Sequence, residues 1–220
     1  MSAVRYSSRQ NSAAFQPRQP DICVYDNFLS RESQEEVLGF LTSPGWAFGA
    51  YSDARPDASR YWYKHFAGYV KDGREKRTAG EIEKELYLNA PILQRMWCSV
   101  KSSVLKNHRL ARCYANGYPS GAEGGLHLDS NISTHCTVIY YPHFSWDPNY
   151  AGETVFFNQD GTDIVASVYP KPNRLLVFPG VIPHVARGVS RLCQELRITL
   201  MFKTAGLEDD IAHSAGSERF

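Results

Sequence analysis

His127, Asp129 and His184 are the residues of this chain best suited to holding a metal ion. They stand in the segments GGLHLDSN and LVFPGVIPHVARG, 184 − 127 = 57 positions apart. Two neutral imidazoles and one carboxylate form the donor set that grips a divalent iron on one face and leaves the opposite positions open. Such a centre has room for a co-substrate and dioxygen side by side. In His127-x-Asp129 a period of two puts both side chains on one side of a strand. The third ligand must then come from a distant strand lying beside the first in a closed sheet. An H-x-D pair alone is weak, because a single histidine in an apolar run more often serves as a hydrogen-bonded core or surface residue.

A second pattern adds weight. Arg197-Ile198-Thr199-Leu200-Met201-Phe202 alternates, so Arg197 and Thr199 share one face. A buried arginine is costly unless it meets an anion, and its planar fork suits bidentate carboxylate recognition. A metal triad followed by an inward Arg-x-Thr strand asks for a carboxylate-bearing co-substrate.

On these residues the chain resembles the Fe(II)- and 2-oxoglutarate-dependent oxygenases, in their prolyl-4-hydroxylase-like branch. The resemblance covers roughly residues 110 to 203, a little under half the chain. It is carried by ARCYANGYPSGAEGGLHLDS, TVIYYPHFSWDPNYAGETVFF, YPKPNRLLVFPGVIPHVARGVS and LRITLMFK. Two departures stand out. The turn reads Ala151-Gly152-Glu153 where the family has two glycines, and the interval from His184 to Arg197 is 197 − 184 = 13, a little longer than usual.

The resemblance implies that His127, Asp129 and His184 hold Fe(II). It also implies that 2-oxoglutarate chelates the metal with its far carboxylate on Arg197 and Thr199, and that O2 is the second co-substrate, with ascorbate as a supporting reductant. Tyr114 resembles the family's tyrosine on the strand before the triad, beside 2-oxoglutarate. Spacing does not settle which of Tyr140 and Tyr141 faces the co-substrate; the resemblance favours Tyr141. The implied reaction is hydroxylation of an unactivated C–H bond in a small metabolite, amino acid or peptide-like substrate. A prolyl hydroxylase acting on a protein is one alternative, and a non-catalytic metal-binding jelly-roll protein is another. Asp129 fills the position that a halogenase vacates. A zinc hydrolase or cupin-type isomerase could use the same ligands, but neither explains Arg197-x-Thr199.

Composition agrees with a single enzyme domain. A chain of 220 residues can bury a sizeable core. With 24 Lys+Arg against 23 Asp+Glu, no global field draws it to nucleic acid or an anionic membrane. No long apolar run or signal segment is visible, so the reading is a cytoplasmic protein without membrane or nucleic-acid partners. Five cysteines with no C-x-x-C pair read as reduced thiols, which suits a ferrous centre.

The elements that must position the triad follow from pattern. Residues 1–18 are Ser/Gln-rich and read as a disordered N-terminus; residues 206–220 read as a loose C-terminal tail. The domain is expected over 19–205. ICVYDNFL reads as a strand, and Ser30 as the cap of a helix carrying Val37, Leu38, Phe40 and Leu41. A second helix is expected from Ala90 to Leu105. CTVIYY, ETVFF, IVASVYP, RLLVFPG and LRITLMFK read as strands, with Asp160-Gly161 marking a hairpin. These elements predict a mainly β fold with buttressing helices, a double-stranded β-helix of the jelly-roll or cupin-like kind.

Residues 46–80 fit neither period. This aromatic and glycine-rich stretch reads either as a surface excursion pinned to the barrel or as a substrate lid. Trp62 and His65 within it, and Arg191 beyond the triad, are the substrate-contact candidates. His135 and His143 are weighed as surface or outer groups, and Arg187, like Arg191, falls in a polar connection from which it could contact substrate.

Overall fold

The computed structural model describes residues 4–7, 22–52, 59–69 and 78–207. One large sheet has strand order β1-β2-β9-β6-β11-β5-β4-β3. Its strands are β1 (Val4–Ser7), β2 (Ile22–Tyr25), β3 (Ala47–Ala50), β4 (Tyr61–Ala67), β5 (His108–Tyr118), β6 (Cys136–Tyr141), β9 (Arg174–Pro179) and β11 (Arg197–Gly206). A smaller sheet, ordered β10-β7-β8, is built from β7 (Thr154–Phe157), β8 (Ile164–Val168) and β10 (His184–Ala186). Three α-helices, α1 (Arg31–Thr42), α2 (Ala79–Asn89) and α3 (Pro91–Ser103), and a short 3-10 helix at Pro148–Tyr150 complete the described elements. No described helix is long and apolar enough to cross a membrane.

Period-two alternation divides the molecule into layers. On β6 and β11, Val138, Tyr140, Ile198, Leu200 and Phe202 face the helices and join Leu93, Met96, Trp97 and Val100 of α3 in the larger core. Trp97 is wholly buried, stacks on Phe202 at 5.7 Å and donates its indole N–H to Glu83 at 2.9 Å. On the opposite face of the same sheet, Ile139, Tyr141, Leu176 and Phe178 pack against Phe156, Ala166 and Val168 of the small sheet. The space between the two sheets is therefore apolar at one end. The other end carries the polar side chains described below.

Local signals explain the connections. Ser30 accepts from the Ser33 amide and starts α1. The β7–β8 hairpin closes through Gly161 at φ 69°, with the Asn158 side chain accepting from the Thr162 amide at 2.8 Å. α2 begins with a capping box between Thr78 and Glu81. Sequence pattern did not reveal this helix, because it buries only Ile82 and Leu86 and so carries little apolar period.

The aromatic stretch also differs from expectation. Ala47–Ala50 and Tyr61–Ala67 pair antiparallel, and the second of these strands joins β5, so both extend the large sheet. Its irregular period arises because one face of β4 meets the helices and the other lines a half-open pocket. At the N-terminus, Val4–Ser7 lies parallel to β2 instead of standing free. The remainder of 1–18, the segments 53–58 and 70–77, and the tail from 208 lie outside the described residues.

Asn173 ties the layers together. It takes φ 57° in the turn before β9, a left-handed conformation that asparagine tolerates better than most residues. Its side chain accepts from the Leu29 amide and the Tyr140 hydroxyl, each at 2.9 Å, and donates to the Leu29 carbonyl at 2.8 Å. We expect Asn173→Ala to cost about 2–4 kcal/mol in urea unfolding, from lost hydrogen bonds and an unfavourable backbone. Asn173→Gly should recover only the backbone part, about 1 kcal/mol.

Candidate metal and co-substrate site

His127, Asp129 and His184 converge, with one donor atom from each lying within 4.8 Å of the others. The segment carrying His127 and Asp129 is not a regular strand. His127 forms a single antiparallel bridge with His184, their amides exchanging bonds at 3.1 and 3.0 Å. The Gly124 amide bonds Ala186 and the Asp129 amide bonds Gly180 along the same edge. This extended run thus acts as a fourth member of the small sheet, and the two ligand-bearing chains sit edge to edge as the spacing required.

The donor set fits a divalent metal. Each histidine has Nδ1 against a backbone carbonyl, His127 on Gly125 at 2.8 Å and His184 on Ile182 at 2.9 Å. A carbonyl only accepts, so Nδ1 carries the proton and Nε2 offers its lone pair. Both Nε2 atoms face Asp129, at 3.4 and 3.3 Å. Burial lowers the His184 pKa and keeps the ring neutral. Burial alone would raise the Asp129 carboxyl, but the Lys203 ammonium beside it holds it well below the usual carboxylate range. Thr137 donates to Asp129 Oδ2 at 2.6 Å, Lys203 bonds Thr137 at 3.0 Å, and the Lys203 ammonium lies directly against the same carboxylate oxygen. Sequence reading missed Lys203 and Thr137, although both share the inward parity of their strands.

Arg197 defines the other end of the pocket. It is 1% exposed, and its Nε and one terminal nitrogen have no hydrogen-bond partner. Tyr118 and Tyr141 flank the guanidinium, with ring centroids 5.5 and 5.7 Å away. Tyr141 bonds Thr154 at 2.8 Å on this side of the sheet, whereas Tyr140 points to the helices and bonds Asn173. Gly152, at φ 85°, leaves space for the arginine: a Cβ there would lie 2.8 Å from Arg197 Cδ and 2.9 Å from Nε. The turn therefore keeps the glycine it needs. Ala151 beside it takes φ 56° and ψ −143°, a region that costs an L-residue about 1–3 kcal/mol.

A cavity of about 460 Å³ joins the triad to Arg197, with Thr199 and Met201 between them on β11. That volume is within the usual range for small-molecule sites. Tyr114 lines it too, but away from Arg197. The β5–β11 register sets Tyr118 opposite Arg197 and Tyr114 opposite Met201. Tyr118 is thus the β5 tyrosine next to the arginine, while Tyr114, the residue picked from sequence, lines the cavity further along the same face. The two share parity, and only strand register separates them.

The substrate candidates divide. His65 lines a second chamber that adjoins the first. Trp62 faces the helix side of β4, packs on Phe48 at 5.2 Å, and does not reach either chamber. Arg191 is exposed and lines neither.

No family model matches the sequence, and no curated protein matches it. Solved structures do. A prolyl hydroxylase from Trichoplax adhaerens, in complex with a hypoxia-inducible-factor oxygen degradation domain peptide, aligns with TM-score 0.55 at 17% identity, over 87% of this chain and 86% of its own. A 2OG-Fe(II) oxygenase family oxidoreductase from Burkholderia pseudomallei aligns with TM-score 0.59 at 16% identity, over 84% of each chain. The fold is that of the 2-oxoglutarate–Fe(II) oxygenases. A Pseudomonas putida prolyl-4-hydroxylase shares it with TM-score 0.52 at 18% identity, over 84% of this chain and 92% of its own. The jelly-roll core of these structures agrees with the layers described above.

His143, read from sequence as an outer group, supports the arginine strand. It is buried, and its Nε2 accepts from the Ile198 amide at 3.0 Å, which requires a neutral ring. Burial and then the nearby Arg197 push its pKa down to about 4. A depressed histidine stabilises the fold fully above the unfolded value near 6.5 and loses that contribution as pH falls toward 4. We therefore expect denaturant-measured stability to drop by up to about 3 kcal/mol from this group between pH 6.5 and 4. His143→Gln should remove that part of the acid dependence.

Proposed function

We propose that this chain is an Fe(II)- and 2-oxoglutarate-dependent oxygenase that hydroxylates an unactivated C–H bond of a small-molecule or peptide-like substrate. The observation that carries this reading is Arg197, a fully buried cation with unmet donors in the same cavity as a two-histidine, one-carboxylate triad. An iron centre with open positions would supply dioxygen activation coupled to decarboxylation of a 2-oxo acid. The chain's own residues bind and orient. His127 and His184 offer fixed Nε2 donors, and Asp129 supplies the anionic oxygen while its other oxygen is held by Thr137 and Lys203. Arg197 would receive the far carboxylate of 2-oxoglutarate, with Thr199, Tyr118 and Tyr141 around it. Tyr114 stands nearer the substrate side.

A prolyl hydroxylase acting on a peptide is the second reading, favoured by the likeness to a prolyl hydroxylase that holds a peptide. Both readings share the site and its first test, which is succinate release from 2-oxoglutarate with Fe(II) and ascorbate. His127→Ala, Asp129→Ala and His184→Ala should each abolish turnover and the binding of one Fe(II) per chain, with the fold retained by circular dichroism. Persisting turnover in any of them would remove that ligand from the triad. Arg187→Ala and Arg191→Ala should leave the 2-oxoglutarate requirement nearly unchanged, whereas Gly152→Ala, by displacing Arg197, should raise it roughly tenfold or more.

A further inference from the structure

The second chamber, about 410 Å³, opens beside the triad cavity and shares Tyr51, Tyr61, Arg112, Tyr114 and Asn116 with it. Its remaining wall comes from the pocket face of β3 and β4 and the residues just after β4, chiefly Tyr63, His65 and Tyr69. The rings form a chain, Tyr63 to His65 at 5.2 Å, His65 to Tyr69 at 4.7 Å and His65 to Tyr114 at 5.8 Å. Tyr51 and Tyr69 are each about half exposed at its rim. Aromatic surface left in contact with water inside a concavity marks a place where a ligand's apolar body gains by burial.

Arg112 sits where the two chambers meet. Its guanidinium lies 4.4 Å from the Tyr114 ring centroid, and one terminal nitrogen is 3.1 Å from His65 Nε2. Burial and then Arg112 itself push the His65 pKa down to about 4, consistent with a neutral ring accepting from the arginine. Arg112 Nε is buried without a hydrogen-bond partner. Among the described residues no carboxylate pairs with Arg112. Asp129 is the sole acidic side chain among the described linings of either chamber, and it is already held by Lys203 and Thr137 beside the two histidines. Lys203, the register partner of Arg112 on β11, is therefore committed to the triad, while Arg112 is not.

We propose that Arg112 anchors the carboxylate of the substrate to be oxidised, with His65 as its positioning residue and the tyrosines of the second chamber holding an apolar or aromatic body. This inference rests on the oxygenase reading and names its substrate class, an organic acid. A cationic substrate would find no counter-ion there. Arg197 and Arg112 lie toward opposite ends of the inward row, since Arg112 pairs in register with Lys203, six residues or about 20 Å of strand from Arg197. One cation thus serves each anion.

The test uses the Fe(II)-loaded chain saturated with 2-oxoglutarate under anaerobic conditions, so that nothing turns over. Binding of benzoate, phenylacetate and hexanoate is measured by calorimetry against the corresponding amides. We expect the acids to bind roughly tenfold or more tightly than their amides. Arg112→Gln should erase that preference with 2-oxoglutarate affinity unchanged, and Arg112→Lys should restore part of it. His65→Ala should weaken acid binding without touching 2-oxoglutarate. Equal binding of acid and amide, no binding of any acid, or a preference that survives Arg112→Gln overturns the proposal. If the chain takes up neither iron nor 2-oxoglutarate, the oxygenase reading fails instead, and the acid preference is then read on the metal-free chain.

Discussion

The buried guanidinium of Arg197 is the constraint on which the site depends. A cation held out of water with unsatisfied donors lowers stability unless something anionic completes it. The surroundings are shaped to keep it there regardless. Gly152 leaves the space its side chain occupies, Tyr118 and Tyr141 lie on either side, and His143 fixes the backbone one residue along through the Ile198 amide. Even the strained Ala151 belongs to this support, since it carries the chain into Gly152 and accepts the Trp146 indole N–H at 2.9 Å.

β11 spaces the chemistry. Arg197, Thr199, Met201 and Lys203 all face the cavity, so one strand supplies the far cation, the intervening wall and the cation that neutralises Asp129. Its other face, Ile198, Leu200 and Phe202, is locked into the core beneath α1, α2 and α3. Slipping the strand by one residue would turn every functional side chain into that core. The helices therefore fix the site's register even though none of them touches it.

Much of this was legible because strands expose their period. The triad, Arg197, Thr199 and five strand segments could be read from alternation and spacing, and the resemblance rested on those same residues. What stayed hidden depended on long-range pairing. Tyr114 and Tyr118 have the same parity on β5, and only the pairing with β11 shows which of them meets Arg197. Trp62 and His65 lie three residues apart on β4 and so face opposite sides. That strand looked aperiodic because both of its faces carry aromatic rings. α2 escaped notice because it needs so little apolar surface. Lys203 was passed over because a lysine near the end of a strand usually reaches solvent, and nothing local announces that Asp129 lies across from it.

The most direct measurement is calorimetric binding, without oxygen, of 2-oxoglutarate and of 2-oxobutyrate to the iron-loaded chain and to its Arg197→Ala variant. The two ligands share the metal-chelating end, and only 2-oxoglutarate carries the far carboxylate. We expect the wild-type chain to prefer 2-oxoglutarate by roughly 10- to 100-fold, the worth of a charge-assisted pair of about 1.5–3 kcal/mol. We expect that preference to vanish in Arg197→Ala while both ligands still reach the metal. An unchanged preference in the variant would contradict the assignment of Arg197 as the residue that the co-substrate completes.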